Sequence, residues 1–374
     1  GTLFLDDPDC ATDRGAAVKA PAIVAITPGG LALARGIAGF IDGGQVHVLA
    51  GRGEHDDIVF SDTTSHLAGL FADGRAIIGV CAAAILVRAV APLLADKTNE
   101  PPVVAIDEAA TSVVPLIGGH RGANRLARRI AAETGAHAAI TTASDAVLGT
   151  ALDDLPAGYA LANPQHLKDF TRRLLAGEAV RISGDAPWLE GAGLNVADSA
   201  RLEIVVSEQA VAGAPDRLVV HPKTLAIGIG AERGAEPGDA AGLVREVLDE
   251  AGFAPQSVAV LASLDLKEDE SALHYISETY SWPPRFFDAG RLEAETPRLI
   301  NPSDTVYQAV GCHGVAEAAA LAAAGPGGEL VVAKRIGRRV TCALARAPVP
   351  IEAENAGRGR ASLAIVGLGP GGRQ

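Results

Sequence analysis

Short apolar runs alternate with helix-like segments along the first part of the chain, and this alternation limits the fold more than any other feature. Ala22–Thr27 reads AIVAIT, Ala76–Val80 reads AIIGV and Val103–Asp107 reads VVAID. Strands that are apolar on both sides lie in parallel sheets whose two faces are covered by helices. We therefore predict a doubly wound parallel α/β domain over residues 21–150, with ligands bound at the carboxyl ends of its strands.

The rest of the chain divides by composition. Several prolines among short strand candidates predict a small α/β middle domain over residues 151–222, and renewed strand–helix alternation predicts a C-terminal α/β domain over residues 223–347. Residues 1–20 hold four Asp before any basic residue, so we expect a disordered leader and no signal peptide. Residues 348–374 are predicted to be a linker and the start of a further domain.

Charge and apolar run length narrow the classes of function. The 374-residue chain has a formal net charge of -13, which does not favour nucleic-acid binding. No apolar run reaches the roughly 18 uncharged residues of a membrane helix. The four cysteines form no C-x-x-C pair, so we expect neither a disulfide framework nor a structural metal site. A cytoplasmic location is the simplest expectation.

The most distinctive local feature is the glycine-rich turn Gly118–Asn124, which reads GGHRGAN and opens a basic helix. Glycines let the backbone approach a ligand, and free N–H groups at a helix start favour anions. His120 could carry a proton or ligate a metal. Arg121 and Arg125 add positive charge near the turn. The alternative is a tight strand-to-helix turn with a solvated arginine face, and the residues alone leave both interpretations open.

Three further segments could carry chemistry. Ser263–Glu270 follows an apolar strand and places Lys267 among four acids, although a charged loop at a helix start would look the same. Gly311–Gly314 reads GCHG and precedes a helix with Glu317 in its first turn. Gly228–Gly234 has a G-x-G pattern, but no helix follows directly, so a loop that presents its arginine to an anion fits better than a dinucleotide site. The residues thus indicate an anionic small-molecule ligand.

Longer runs of the sequence resemble a known family. Gly79–Asp96 (GVCAAAILVRAVAPLLAD), Asp107-Glu108 and PLIGGHRGANRLA resemble the N-terminal domain of the cobalamin-biosynthesis family CbiG. Leu261–Glu270, Arg285–Phe287 and Val310–Leu321 are similar to its C-terminal domain, which also occurs alone as CobE. The resemblance implies hydrolysis of cobalt-precorrin-5A, in which water opens a δ-lactone and acetaldehyde leaves. The partner is then an anionic tetrapyrrole, and cobalt enters only as part of the substrate, with no separate cofactor.

Opening a lactone requires a general base and a donor to the developing oxyanion. With the resemblance in mind, we expect His120 or Glu108 to be the base, and Lys267 and Glu270 to be second candidates from across an interdomain cleft. The substrate's carboxylates would be bound by arginines and glycine turns. The expected binding residues are Gly118, Gly119, Arg121, Gly122, Asn124, Arg125, Arg88, Arg233, Gly311, His313 and Glu317.

The end of the chain suggests a second activity. Leu363–Gly372 (LAIVGLGPGG) resembles the first strand and glycine loop of tetrapyrrole methyltransferases. This implies a fusion to a precorrin-3B C17-methyltransferase, for which S-adenosylmethionine would be the cofactor of the missing domain alone. The alternative function is then a non-catalytic tetrapyrrole carrier that serves the methyltransferase. Cobalt-containing and metal-free substrates both stay open, as does a homodimer.

Overall fold

The computed structural model describes residues 19–53, 57–95, 99–142, 152 and 155–359. The expected leader, apart from its last two residues, and the methyltransferase-like segment Leu363–Gly372 lie outside the described residues. The chain forms two compact units: Gly1–Asp154 with Gly191–Gly193, and Leu155–Glu190 with Leu194–Gln374, each as far as its residues are described. Among the described residues, no helix is long and apolar enough to cross a membrane.

The first unit is built on a seven-stranded sheet with the order β3-β2-β1-β4-β5-β6-β7. Its strands are β1 (Ala22–Ala25), β2 (Gln45–Leu49), β3 (Ile58–Phe60), β4 (Ile77–Val80), β5 (Val103–Ile106), β6 (Ser112–Ile117) and β7 (His137–Ala138). Its helices are α1 (Pro28–Ala38), α2 (Thr63–Ala72), α3 (Ala83–Val90) and α4 (Ala123–Thr134). Side chains of α1 and α4 share one buried cluster, and those of α2 and α3 share another. Helices thus cover both faces, and the predicted doubly wound α/β class is confirmed.

One part of this sheet differs from the all-parallel arrangement we expected. β6 runs antiparallel to β5, and β7 is parallel to β6, so the last two strands point opposite to the other five. Only Asp107–Thr111 separates β5 from β6, whereas a parallel connection requires a dozen or more residues. The Asp107 carboxylate closes this turn by accepting hydrogen bonds from the backbone N–H groups of Ala109, Thr111 and Ser112.

The second unit holds two sheets. The first has the order β8-β11-β10-β9, from β8 (Tyr159–Leu161), β9 (Val180–Ser183), β10 (Leu202–Val206) and β11 (Arg217–Pro222). The second has the order β14-β13-β12-β16-β15, from β12 (Leu225–Ala231), β13 (Val258–Leu264), β14 (Pro284–Phe287), β15 (Glu329–Ile336) and β16 (Val340–Arg346). β12, β13 and β14 are parallel to one another, and β16 is antiparallel to β12. The carboxyl ends of β12, β13 and β14 therefore share one edge.

The helices described in the second unit are α5 (Leu167–Leu175), α6 (Pro237–Ala251), α7 (Ser271–Tyr280), α8 (Ala289–Glu293), α9 (Asp304–Val310) and α10 (Ala316–Ala324). Side chains of α6 and α7 share one buried cluster with the five-stranded sheet and those of α8 and α10 share another, so helices cover both of its faces. Every residue of α10 is buried, and it lies directly on β12. A Cβ atom added to Gly228 would fall 1.9 Å from the Ala316 carbonyl oxygen. Gly228 therefore lets α10 pack closely on β12. This glycine has a structural role, and the G-x-G pattern is not a dinucleotide-binding motif.

Candidate functional site

Glu108 lies at the carboxyl edge of the first unit's parallel strands, next to the start of α1. The Thr27 hydroxyl donates a hydrogen bond of 2.5 Å to Glu108 Oε1, and it accepts one of 3.1 Å from the Gly30 N–H. Gly29 lies so close that an added Cβ would be 2.6 Å from Glu108 Oε2. This is the point at which the strand order reverses between β1 and β4, where open α/β sheets bind their ligands.

The Gly118–Asn124 turn has a defined backbone conformation that requires glycine at two positions. Gly118 has φ 70° and Gly122 has φ 102°, conformations that side-chain-bearing residues rarely adopt. The turn borders a cavity of about 410 Å³ whose lining includes Glu100, Arg121 and Asn124. The Asn124 amide donates a 2.8 Å hydrogen bond to the Thr142 hydroxyl, which ties the start of α4 to the segment after β7. The start of α4 thus lies beside a cavity that Arg121 lines, while the side chain of His120 lies outside the described part.

The structure separates Glu108 from this turn. Because β6 is antiparallel to β5, its last residue Ile117 pairs with Val103, the first residue of β5. Glu108 follows the other end of β5, and a four-residue strand keeps the two ends roughly 10 Å apart. Glu108 and the turn therefore lie at opposite edges of the sheet, which follows from the antiparallel direction of β6. Exposed Arg88, in the last turn of α3, lies towards the edge that carries the turn.

Lys267 and Glu270 lie at the carboxyl edge of the second unit's parallel strands, as expected. Glu270 Oε2 accepts a 3.1 Å hydrogen bond from the Gly234 N–H, and Glu270 Oε1 is 3.9 Å from Lys267 Nζ. This contact joins the loop after β12 to the loop after β13. Arg233 in the first of these loops is exposed, and Arg339 holds the loop by donating to the Arg233 carbonyl oxygen at 2.7 Å.

His313 forms a contact that the sequence did not predict. Its Nδ1 is 2.9 Å from both carboxylate oxygens of Glu293, and its backbone N–H donates to Glu293 Oε2 at 3.0 Å. The hydrogen bond from the His313 side chain, against the opposing effect of burial, is the main reason that the pKa of Glu293 is lowered. The ring of Tyr307 stacks on the imidazole with centroids 4.5 Å apart. Glu293 and Tyr307 precede His313 at distances without a recognisable motif, so no sequence signal marked them.

Glu317, which we expected to bind substrate, instead holds the protein together. It is 2% exposed, and its two oxygens accept hydrogen bonds of 2.8–2.9 Å from the N–H groups of Ile300, Asn301 and Lys334 and from the Asn301 side chain. Burial opposes its ionisation, but these bonds outweigh burial and hold the pKa of Glu317 below its usual value. All of its strong acceptor positions are occupied, so a direct substrate contact is not available.

Gly311, the other expected binding residue near His313, is also structural. It ends α9 with φ 81°, and its N–H donates to the Tyr307 carbonyl oxygen at 2.8 Å. The neighbouring Cys312 is fully buried, and burial is the main cause that raises the pKa of its thiol. Neither residue presents a reactive group, and His313 is the member of this segment that does.

Comparison with known proteins places the chain in a family. Residues 65–145 match the family description "Cobalamin synthesis G N-terminal", and residues 225–345 match "Cobalamin synthesis G C-terminus". A protein named cobalt-precorrin-5A hydrolase from Salmonella typhimurium is 30% identical over 291 residues, covering 72% of this chain and 82% of that protein. The chain belongs to the CbiG family.

Two further curated proteins and one solved structure are also similar to this chain. A cobalt-precorrin-5A hydrolase from Priestia megaterium is 28% identical over 357 residues, covering 87% of this chain and 95% of that protein. Protein CobE from a Sinorhizobium species is 41% identical over 130 residues, or 35% of this chain and 84% of that protein. A solved cobalamin biosynthesis protein G homolog from Sulfolobus solfataricus is 21% identical, covers 87% of this chain and 97% of its own, and has a TM-score of 0.33.

The two matched ranges contain the candidate groups described above. Glu108 and the Gly118–Asn124 turn fall in the N-terminal range, and the Lys267–Glu270 and His313–Glu293 pairs fall in the C-terminal range. The four-stranded sheet of β8 to β11 lies outside both. In this CbiG-family chain, the candidate residues at the sheet edges thus lie within the two ranges that match the family.

Proposed function

We propose that this CbiG-family chain is a cobalt-precorrin-5A hydrolase of cobalamin biosynthesis. The observation that carries the proposal is the alignment with the Priestia megaterium protein of that name, which extends over 95% of that protein. The chain therefore contains both parts of such an enzyme and more than the CobE-like part alone. A cytoplasmic location is part of the proposal, supported by the free thiols of Cys81, Cys312 and Cys342.

The reaction consumes one water and releases one acetaldehyde. Water adds to the carbonyl carbon of the substrate's δ-lactone, and the carbon–oxygen bond of the lactone breaks to give a carboxylate and an alcohol. The alcohol then loses its proton, its carbon–carbon bond to the macrocycle breaks, and the two-carbon fragment leaves as acetaldehyde. The macrocycle carbon keeps the electron pair and takes up a proton. No oxidant or reductant is needed, and cobalt is part of the substrate.

The charges of the first unit suit a substrate with many carboxylates. The Gly118–Asn124 turn opens α4, whose helix dipole places partial positive charge at this end, and Arg121 lines the adjoining cavity. We propose that carboxylates of the tetrapyrrole bind at this turn, with Arg125 in the first turn of α4 and exposed Arg88 nearby. Such local positive charge is required in a chain with a net charge of -13.

The second unit offers a separate set of groups. Exposed Arg233 and the partly buried Lys267 lie in the two loops that Gly234 and Glu270 join. We propose that they bind carboxylates of a tetrapyrrole at this edge of the second unit. We keep His120 and Glu108 as candidates for a proton transfer in the first unit. Because Glu108 lies away from the turn that contains His120, the two residues would act separately.

Acetaldehyde release tests the proposed function. Purified protein would be incubated with cobalt-precorrin-5A and, in parallel, with metal-free precorrin-5A, and acetaldehyde would be trapped and quantified. We expect release from at least one of the two, and none from substrate whose fragment has already been removed. A tetrapyrrole carrier would instead bind the substrate tightly and release nothing, and that outcome would contradict the proposal.

A further inference from the structure

The His313–Glu293 pair has the geometry of a base and the residue that orients it. Glu293 lies at the end of α8, just after β14, and His313 lies in the short segment before α10. The Glu293 carboxylate is fixed independently by the 3.0 Å hydrogen bond from the Thr296 hydroxyl. It receives both the backbone N–H and the ring Nδ1 of His313. Hydrogen bonds from Thr296 and from the His313 backbone therefore fix the Glu293 carboxylate, and the carboxylate in turn orients the imidazole ring.

This arrangement decides which ring nitrogen can act. A carboxylate accepts a hydrogen bond, so Nδ1 of His313 carries the proton and Nε2 of the neutral ring carries the lone pair. Stacking against Tyr307 restricts rotation of the ring. The His313 side chain is 24% exposed, and Nε2 points towards Asp304, which is 3.5 Å away and almost entirely exposed. The lone pair thus lies on the side that solvent reaches.

The neighbouring groups are less suited to accept a proton from water. Glu317 uses its oxygens for backbone and amide donors, and Cys312 is buried with the pKa of its thiol raised. Glu270 is bound to the Gly234 N–H and lies beside Lys267. His313 alone combines a fixed tautomer with an accessible acceptor among these residues.

We propose that His313, and not His120 or Glu108, is the general base of the lactone-opening step and that Glu293 is its positioning residue, an inference that rests on the proposed function. His313 Nε2 takes a proton from the attacking water while the water oxygen adds to the lactone carbonyl. When the lactone carbon–oxygen bond breaks, the imidazolium returns that proton to the leaving oxygen. Glu293 keeps the ring in the active tautomer and balances the charge of the imidazolium, as the carboxylate does in hydrolytic triads.

The test compares His313→Asn and Glu293→Gln with two exposed control variants, His137→Asn and Glu278→Gln. Acetaldehyde release gives kcat and KM, and thermal unfolding shows whether each variant folds. We expect His313→Asn to lower kcat about 100-fold or more with little change in KM, because general-base catalysis contributes that much. We expect Glu293→Gln to lower kcat about 10-fold or more, and both controls to match the wild type.

The pH profile separates positioning from a merely structural role. Glu293 and, from α9, Asp304 and Tyr307 are the titratable groups that face the His313 ring. Loss of the Glu293 charge destabilises the protonated ring, so the acidic limb of kcat/KM should move to lower pH in Glu293→Gln.

The possible results are distinct. If the wild type releases acetaldehyde and a folded His313→Asn stays within about 3-fold of it, the base assignment is overturned and the hydrolase function stands. If His313→Asn does not fold, an unshifted profile in folded Glu293→Gln overturns the assignment. If the wild type releases no acetaldehyde from either substrate, both the function and the base assignment fail.

Discussion

A histidine pair in the first unit, of which His47 is buried, predicts how the stability of this unit responds to acid. His47 in β2 is 2% exposed, and its Nδ1 lies 2.9 Å from Nε2 of His66 in α2. Burial, then the neighbouring charges of His66 and Arg75, lower the pKa of His47 from 6.5 to about 4. The pKa of His66 is lowered for the same reasons, burial first and then Arg75. The folded protein therefore keeps His47 neutral where the unfolded chain protonates it.

The sign and size of the pH effect on the free energy of unfolding follow from this difference in pKa. Above pH 6.5 both states are neutral at His47, and as the pH falls towards 4 only the unfolded state takes up a proton, so stability is lost across that window. From pH 7 to pH 5 the loss from His47 is about 2 kcal/mol. His47→Leu removes this titration. The free energy of unfolding of the variant should therefore fall by about 2 kcal/mol less than that of the wild type over the same interval.

Urea unfolding at both pH values measures the difference, with hydrogen exchange of β1 and β2 used to assign the transition to the first unit. Exposed His137→Leu serves as the control and should keep the wild-type pH dependence. Carboxylates elsewhere titrate equally in all three proteins and cancel in the comparison. An unchanged pH dependence in His47→Leu would refute the reasoning, because the buried imidazole would then not be the group that resists protonation.

Three packing and turn variants test other parts of the account by urea unfolding. Gly228→Ala should cost about 2 kcal/mol or more, because its Cβ would overlap the backbone of α10, whereas Gly242→Ala, with nothing within 4 Å, should not destabilise. Glu317→Gln should cost about 2–4 kcal/mol, because an amide nitrogen cannot accept from the backbone donors that the carboxylate now satisfies. Gly118→Ala should cost more than Gly135→Ala, since both have positive φ but only Gly118 has backbone atoms 3.0–3.1 Å from its added Cβ; equal costs would contradict this.

The sequence was informative where one segment determines its own structure. The apolar runs at β1, β4 and β5 predicted buried strands because only a sheet covered on both faces accommodates them. The direction of β6 was missed because its apolar residues are compatible with either direction. The signal was the spacing: Asp107–Thr111 is too short for a crossover.

The candidate sites depended on contacts between distant segments. The GCHG motif drew attention to His313, but nothing in the sequence marked Glu293, which lies 20 residues earlier and meets it only in the fold. Glu317 looked functional because of its position in a helix start, and its role became clear only when its four hydrogen-bond donors were placed around it. The sequence motifs thus indicated which residues carry reactive groups, whereas the fold determines which residues those groups contact.

The central claim is hydrolysis of the tetrapyrrole lactone, and turnover in heavy-oxygen water tests it most directly. Acetaldehyde would be counted while the tetrapyrrole product is analysed by mass spectrometry. The account predicts one acetaldehyde per molecule of substrate consumed, with one heavy oxygen atom in the carboxylate of the product. Acetaldehyde release without incorporation, or substrate binding without release, would contradict it.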